Sequence, residues 1–159
     1  MEIYLLRHAI AENGRPGQPD SERALTDEGR DKLRRVLQRA RAAGVQPSVI
    51  LSSPYRRASE TATAAKEVLG GEIERCAALT PEASPYDAWE EIRAHKSEYA
   101  VLLASHEPLM SSMAAFLLGC PALEVDMKKA ALVRVDCDRF GPQPKGVLKW
   151  MLTPATAGE

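Results

Sequence analysis

The sequence predicts an α/β fold, a three-layer α/β/α sandwich around a mostly parallel central sheet. Three observations predict it. Short, nearly continuous apolar runs at 2–6, 48–51 and 99–104 read as strands buried on both faces. Between them lie stretches whose apolar residues recur at helical spacing. The two kinds of stretch alternate along the chain, which calls for helical crossovers and therefore parallel strands. The 159 residues, 45% hydrophobic and 27% charged, suit one globular domain spanning 1–159.

Taken in order, "EIYLL" (2–6) is the first strand and runs directly into Arg7 and His8. "AENGRPGQPDSER" (11–23), with Gly14, Pro16, Gly17 and Pro19, reads as one exposed loop. Thr26 is placed to cap a helix with an apolar stripe of Leu33, Val36, Leu37, Ala40 and Ala43, stopped by Gly44. After the strand "SVIL" (48–51), Ser53 and Pro54 open a second helix. Its stripe is Ala58, Thr61, Ala62, Ala65, Val68 and Leu69, and Gly70 and Gly71 end it. "GEIERC" (71–76) alternates and belongs near a sheet edge. Ser84, Pro85 and Asp87 open a third helix with Trp89 and Ile92 on one face. "YAVLLA" (99–104) is another buried strand, and Pro108 starts a fourth helix through Leu109, Met113, Phe116 and Leu117 to Gly119. "ALVRVDC" (131–137) and "VLKWML" (147–152) alternate and pair as a closing hairpin across the turn "FGPQPKG" (140–146).

Composition narrows the class. The net charge is −1, from 21 basic and 22 acidic residues, which argues against binding nucleic acid by bulk electrostatics. Cys76, Cys120 and Cys137 are odd in number and lack metal-type spacing. They are expected to fill small apolar sites in a reducing compartment. Arg7 and His8 interrupt the first apolar run too early for a signal segment, and no run is long enough to span a bilayer. The expectation is a cytoplasmic protein without membrane or nucleic-acid partners.

In open α/β sheets ligands bind beyond the carboxyl ends of the strands. The first strand ends in Arg7-His8, the second in "SSPYRRA" with Arg56 and Arg57, and the buried strand at 99–104 in Ser105-His106. A lone histidine at a strand end is ordinarily a structural residue, and His95, in the polar segment "RAHKSE", reads as surface. The joint placement carries more. Cations in a first helical turn oppose the macrodipole unless an anion sits there, and helix N-termini themselves attract phosphate. Guanidinium grips phosphate oxygens in pairs, which favours phosphate among anions. Beside a phosphoryl group, one neutral imidazole can attack phosphorus, and a second, protonated, can stabilise the transition-state charge. No carboxylate cluster suited to Mg²⁺ or Zn²⁺ adjoins these strand ends, so neither a metal nor another cofactor is required.

These segments resemble those of the histidine phosphatase (phosphoglycerate mutase-like) superfamily. "LLRHA" (5–9) resembles its RHG signature, "SSPYRRASET" (52–61) its S-P-x-x-R-A-x-x-T segment, and "LLASHEPLM" (102–110) its late-histidine segment. The short chain, "ERALTDEG" (22–29) and "LTP" (79–81) resemble the small SixA-like branch, the phosphohistidine phosphatases. The likeness covers nearly the whole chain, with the motifs in the family's order. It implies a phosphoglycerate mutase-like fold and metal-free hydrolysis through a phosphohistidine on the enzyme, completed by water. Carried over by motif, His8 is the nucleophile, Arg7 and Arg57 hold the phosphate, and His106 is the second, phosphate-binding histidine. The family's spacing selects Arg57 over Arg56, because Arg57 directly precedes Ala58.

The chain departs from the pattern in two respects. Ala9 stands where the signature has glycine. Larger members use an acidic residue to protonate the leaving group, and here only Glu12 and Glu82 are near by loop position, each of which also reads as a solvated carboxylate. Lack of an acid disfavours alkyl phosphates and matters less for a phosphoramidate, whose nitrogen takes its proton from solvent. The leading reading is therefore a phosphatase acting on a phosphohistidine-bearing signalling protein, such as a phosphotransfer domain, and a monomer is expected. A small-molecule phosphomonoesterase with the same site and a non-catalytic phosphate-binding module are the alternative readings.

Overall fold

The computed structural model describes residues 1–158. Six strands form one sheet: β1 (Glu2–Arg7), β2 (Val49–Ser52), β3 (Glu72–Arg75), β4 (Ala100–Ser105), β5 (Leu132–Asp136) and β6 (Val147–Leu152), in the order β3-β2-β4-β1-β5-β6. The first four in that order are parallel. β5 runs antiparallel to β1 and pairs with β6 as the closing hairpin. The helices are α1 (Asp27–Ala42), α2 (Arg56–Leu69), α3 (Pro85–Ala94) and α4 (Leu109–Leu117).

Successive residues of a strand face opposite sides of its sheet, and the core divides accordingly. Ile3 and Leu5 of β1, with Val101 and Leu103 of β4, pack against Trp89 and Ile92 of α3 and Met113 and Leu117 of α4. Tyr4 and Leu6, with Leu102 and Ala104, pack against Leu33 and Leu37 of α1 and Ala62 and Ala65 of α2. The three layers follow, and so does the unbroken apolar character of β1 and β4: both of their faces are covered. Register decides where the chemistry gathers. Arg7 pairs across from Ser105, and Ser52 across from Ala104, so β1, β2 and β4 finish at one level of the sheet.

Local chemistry sets the helix ends. Thr26 Oγ1 accepts from the Gly29 N–H at 3.0 Å, and Ser84 Oγ accepts from the Asp87 N–H at 3.2 Å with Pro85 in the first turn. Gly44 and Gly70 follow α1 and α2 in the left-handed region, at φ +86° and +84°. Four expectations need correction. α2 begins at Arg56, two residues after Pro54, because Ser53 Oγ is taken by the Tyr55 N–H at 3.2 Å and Tyr55 becomes the cap. Ala43 is exposed at the C-cap of α1 and lies outside the buried stripe. Cys120 is exposed, whereas Cys76 and Cys137 are buried as expected. His95 is more than surface: as the C-cap of α3 it donates from Nδ1 to the Glu91 carbonyl and meets the Glu74 carboxylate through Nε2, both at 2.8 Å, tying α3 to β3. Among the described residues, no helix is long and apolar enough to cross a membrane.

Gly29 offers a test of the packing between α1 and the segment after β1. A Cβ at this position would collide with the main-chain oxygen and nitrogen of Ile10, and backbone cannot swing aside as a flexible side chain can. Gly29→Ala is expected to destabilise the fold by about 1–3 kcal/mol through overpacking, despite a gain of about 1 kcal/mol in helix propensity. Urea unfolding checks this, and an unchanged or raised midpoint would contradict it.

Candidate active site

The carboxyl end of β1 delivers Arg7 and then His8. The main chain of His8 is held on both sides: its N–H donates to the Ser105 carbonyl at 2.8 Å, and its carbonyl accepts from the Ala130 N–H at 3.2 Å. The residue is 6% exposed, and Nδ1 lies 2.7 Å from the Ala9 carbonyl oxygen. A carbonyl only accepts, so Nδ1 carries the proton and Nε2 keeps its lone pair. Burial pulls the His8 pKa down to about 4; the nearby charges of Arg57, Arg7 and Lys129 add to this, against the hydrogen bond to Ala9. The imidazole is therefore neutral at neutral pH.

Ala9 needs none of glycine's freedom. Its φ lies outside the left-handed region, its methyl is buried in the core beneath α1 and α2, and its N–H donates to Thr61 Oγ1 at 3.2 Å. The Thr61 hydroxyl in turn donates to the Arg57 carbonyl at 2.7 Å, joining the two motifs.

Of the two arginines that open α2, Arg57 is the buried one, at 5% exposure. Its Nη1 donates to the Asp20 carbonyl at 2.9 Å and its Nη2 to the Asp20 carboxylate at 3.0 Å. The guanidinium carbon sits 5.1 Å from the centre of the Tyr55 ring. Arg56 is exposed and pairs loosely with Glu60 at 3.6 Å. Arg7 donates from Nη1 to the Met127 carbonyl at 2.8 Å, and burial lowers its pKa below the ordinary arginine value.

His106 follows β4 and is 1% exposed. Its Nε2 lies 2.8 Å from Ser53 Oγ, and its ring centre is 5.2 Å from that of His8 and 5.1 Å from that of Tyr55. Burial, then the charges of His8, Arg57 and Arg7, lower its pKa to about 3, with Asp20 opposing. The expectation of a protonated second histidine is corrected for the free protein. Two guanidiniums beside a buried ring leave the neutral form strongly preferred.

Three residues of this cluster escaped the sequence reading. Ser53 lay within the quoted "SSPYRRA" segment but looked like a helix opener. Tyr55, in the same segment, carried no sign that its ring would meet both Arg57 and His106. Asp20 carried no signal distinguishing it from other loop acids, yet it is the carboxylate bound to Arg57. Burial pulls the Asp20 carboxyl upward, but hydrogen bonds from Arg23 and Arg57, with their charges, outweigh it and hold the pKa below the ordinary carboxylate value. Glu12 and Glu82 are exposed, and Glu12 is held through its main chain, by Ala24 and by Arg23 at 3.0 Å. Neither candidate acid forms a hydrogen bond to a residue of the cluster.

One feature sets this cluster apart. Among the described residues, the buried side-chain polar atoms without a hydrogen-bond partner are Arg7 Nε, Arg57 Nε and His106 Nδ1. Each such atom costs about 1–3 kcal/mol, and all three belong to the group around His8. The arrangement can present several donors to an anion while a neutral imidazole nitrogen stands ready to attack it. Among the described residues, no group of three or more His, Cys, Asp or Glu side chains gathers as a metal site would need.

The sequence model of the histidine phosphatase superfamily (branch 1) matches residues 3–80, the span that holds Arg7, His8 and Arg57. The chain is 32% identical over 138 residues to an uncharacterized protein of Picosynechococcus sp., covering 84% of this chain and 83% of that one. It is 27% identical over 161 residues to the phosphohistidine phosphatase SixA of Escherichia coli, covering 97% of this chain and 94% of SixA. A solved structure of the protein histidine phosphatase SixA complexed with tungstate superposes with a TM-score of 0.86 at 27% identity, over 98% of each chain.

Proposed function

The chain belongs to the histidine phosphatase superfamily, and on that premise we propose that it is a phosphohistidine phosphatase. In this reading it hydrolyses phosphohistidine in a protein through a covalent intermediate on His8, without a metal ion in any step. The observation that carries the reading is the set of three unpartnered buried nitrogens beside a neutral, lone-pair-bearing His8. The likeness to SixA, named for acting on phosphohistidine, supports the substrate class.

His8 Nε2 attacks phosphorus as the bond from phosphorus to the substrate imidazole breaks. Arg7 and Arg57 hold the phosphoryl oxygens. Ser53 Oγ accepts from the Tyr55 N–H, and among the described residues its own proton has no hydrogen-bond acceptor but His106 Nε2; with that proton on the hydroxyl, the His106 Nδ1–H donates to a phosphoryl oxygen. The leaving imidazole takes a proton from solvent. Water then attacks the phosphorus on His8, releasing orthophosphate and restoring the neutral ring. Asp20, held ionised by Arg23 and Arg57, is a poor proton donor. That favours a phosphoramidate, whose leaving nitrogen needs no enzyme acid, over an alkyl phosphate. Comparing a phosphohistidine peptide with a simple phosphomonoester tests this. Higher kcat/KM on the peptide is expected, and equal or better turnover of the ester would overturn the substrate assignment.

Two further outcomes follow from the same geometry. Asp20 shares Arg57 with the incoming phosphate, so Asp20→Asn is expected to tighten tungstate inhibition by about 2–5-fold, the size of a mostly exposed ion pair. Weaker or unchanged inhibition would contradict the competition. The pH profile follows from His8. Its folded pKa is depressed, so the reactive neutral form is present above about 4 and lost as pH falls through that value. The kcat/KM for a substrate without its own titration there should stay flat down to about pH 5, and a limb at the ordinary histidine value near 6.5 would contradict the burial argument. The sign for stability is the same. Unfolded histidine takes its proton near 6.5, so the stability contributed by neutral His8 and His106 is full above that pH. It is lost as pH falls toward about 4 and about 3.

A further inference from the structure

We propose that a cationic groove beside Arg7 docks an acidic polypeptide segment flanking the phosphohistidine of the substrate protein. The substrate's identity rests on the phosphatase reading above; the mode of docking rests on the groove itself. A cavity of about 750 Å³ opens next to the site and meets it at Arg7. Its walls carry four more cations, Lys32 and Arg35 from α1 and Lys128 and Lys129 from the segment before β5, and among the described residues its lining includes no carboxylate side chain. The whole chain has a net charge of −1, so this is charge gathered in one place and not general basicity.

Lys32 and Arg35 stand three residues apart and share a side of α1. Lys32 is met by Glu28 and Lys128 by Asp126, both at 3.0 Å in exposed pairs, weak contacts that a partner's carboxylates can replace. Arg35 and Lys129 form no ion pair among the described residues. Lys129 lies close enough for its charge to act on His8, which connects the groove to the reacting atom. Ala130 lines the same cavity and adopts φ 62°, the one non-glycine residue in the left-handed region among those described. Its N–H bonds the His8 carbonyl at 3.2 Å. That turn fixes the two lysines relative to the nucleophile.

The volume is far more than one phosphate group needs, and the lining mixes cations with apolar Ile10 and Pro154. Both features suit a length of polypeptide. Among the described residues the lining contains no aromatic ring on which a nucleic-acid base could stack. Attraction of this kind acts mainly on encounter and falls with added salt.

The test uses two synthetic peptides of equal length, one with Asp and Glu around the histidine and one with Ser and Gln. Each is prepared dye-labelled without phosphate for binding, and phosphorylated for turnover. At low ionic strength the protein is expected to bind the acidic peptide at least 10-fold tighter than the neutral one, a preference that shrinks at high salt. K32E/R35E should lose the preference while keeping kcat on the neutral phosphopeptide, and K32Q/R35Q, which adds no new repulsion, should reduce the preference in the same direction. Equal binding of the two peptides, or a preference that survives both variants, would overturn the groove. Tighter binding of a single-stranded oligonucleotide than of the acidic peptide would overturn it as well. Acidic preference without turnover of either phosphopeptide would leave the groove standing and overturn the phosphatase reading instead.

Discussion

His8→Ala is expected to lower turnover by a factor on the order of 10⁴–10⁶, the scale of deleting a catalytic nucleophile. The second histidine cannot replace it, because His106 Nε2 is engaged by Ser53 at 2.8 Å and its Nδ1 then carries the proton and has no lone pair to attack with. The fold should survive. The hydrogen bonds that fix this turn, to the Ser105 carbonyl and from the Ala130 N–H, are made by the His8 main chain and remain in the variant. Arg7, Arg57 and His106 also remain, so the variant should still bind tungstate. Loss of turnover with retained oxyanion binding and a near-native unfolding midpoint is the expected pattern. Turnover within 10-fold of the unmodified protein would remove His8 from the nucleophile role.

Arg57→Ala has the second largest expected effect, a fall of about 10²–10³ in kcat/KM, comparable to losing one preorganised donor to a transition-state oxyanion. Arg57→Lys should recover only part, because an ammonium cannot present the planar fork of donors. A second readout separates this role from a structural one. Arg57 contributes positive charge that lowers the pKa of both His8 and His106. Removing that charge should move the acid limb of the rate profile upward, toward the ordinary histidine value. The Lys variant, which keeps the charge, should leave the limb near that of the unmodified protein. An unchanged rate in the Ala variant would take Arg57 out of the site, and a rate loss with an unmoved limb would contradict the electrostatic part of the account.

Much of this was legible in the chain because it rests on local pattern or strong layer constraints. The doubly covered strands β1 and β4 read as continuous apolar runs, and Thr26 and Ser84 announced their helices through their own side-chain chemistry. The level at which Arg7, Ser52 and Ser105 end followed from parallel strands feeding helical crossovers. What stayed hidden depends on contacts between distant segments. Ser53 looked like the start of a helix, but it meets His106 from 53 positions away, and α2 begins later. Asp20 reaches Arg57 across 37 positions because a polar loop folds over the start of α2, which no periodicity encodes. The neutrality of His106 comes from burial beside two guanidiniums, a property of the assembled site. Ala9 looked like a weakened signature until its buried methyl and its bond to Thr61 accounted for it.

In the proposed reaction His8 carries the phosphoryl group between substrate and water. Brief exposure of the protein to a phosphohistidine peptide, an alkaline quench and mass spectrometry of the digested chain test it directly. An acid-labile, base-stable phosphate is expected on the peptide containing His8, absent in His8→Ala. Continued turnover with no phosphate on the chain, or phosphate found on His106 instead, would contradict it.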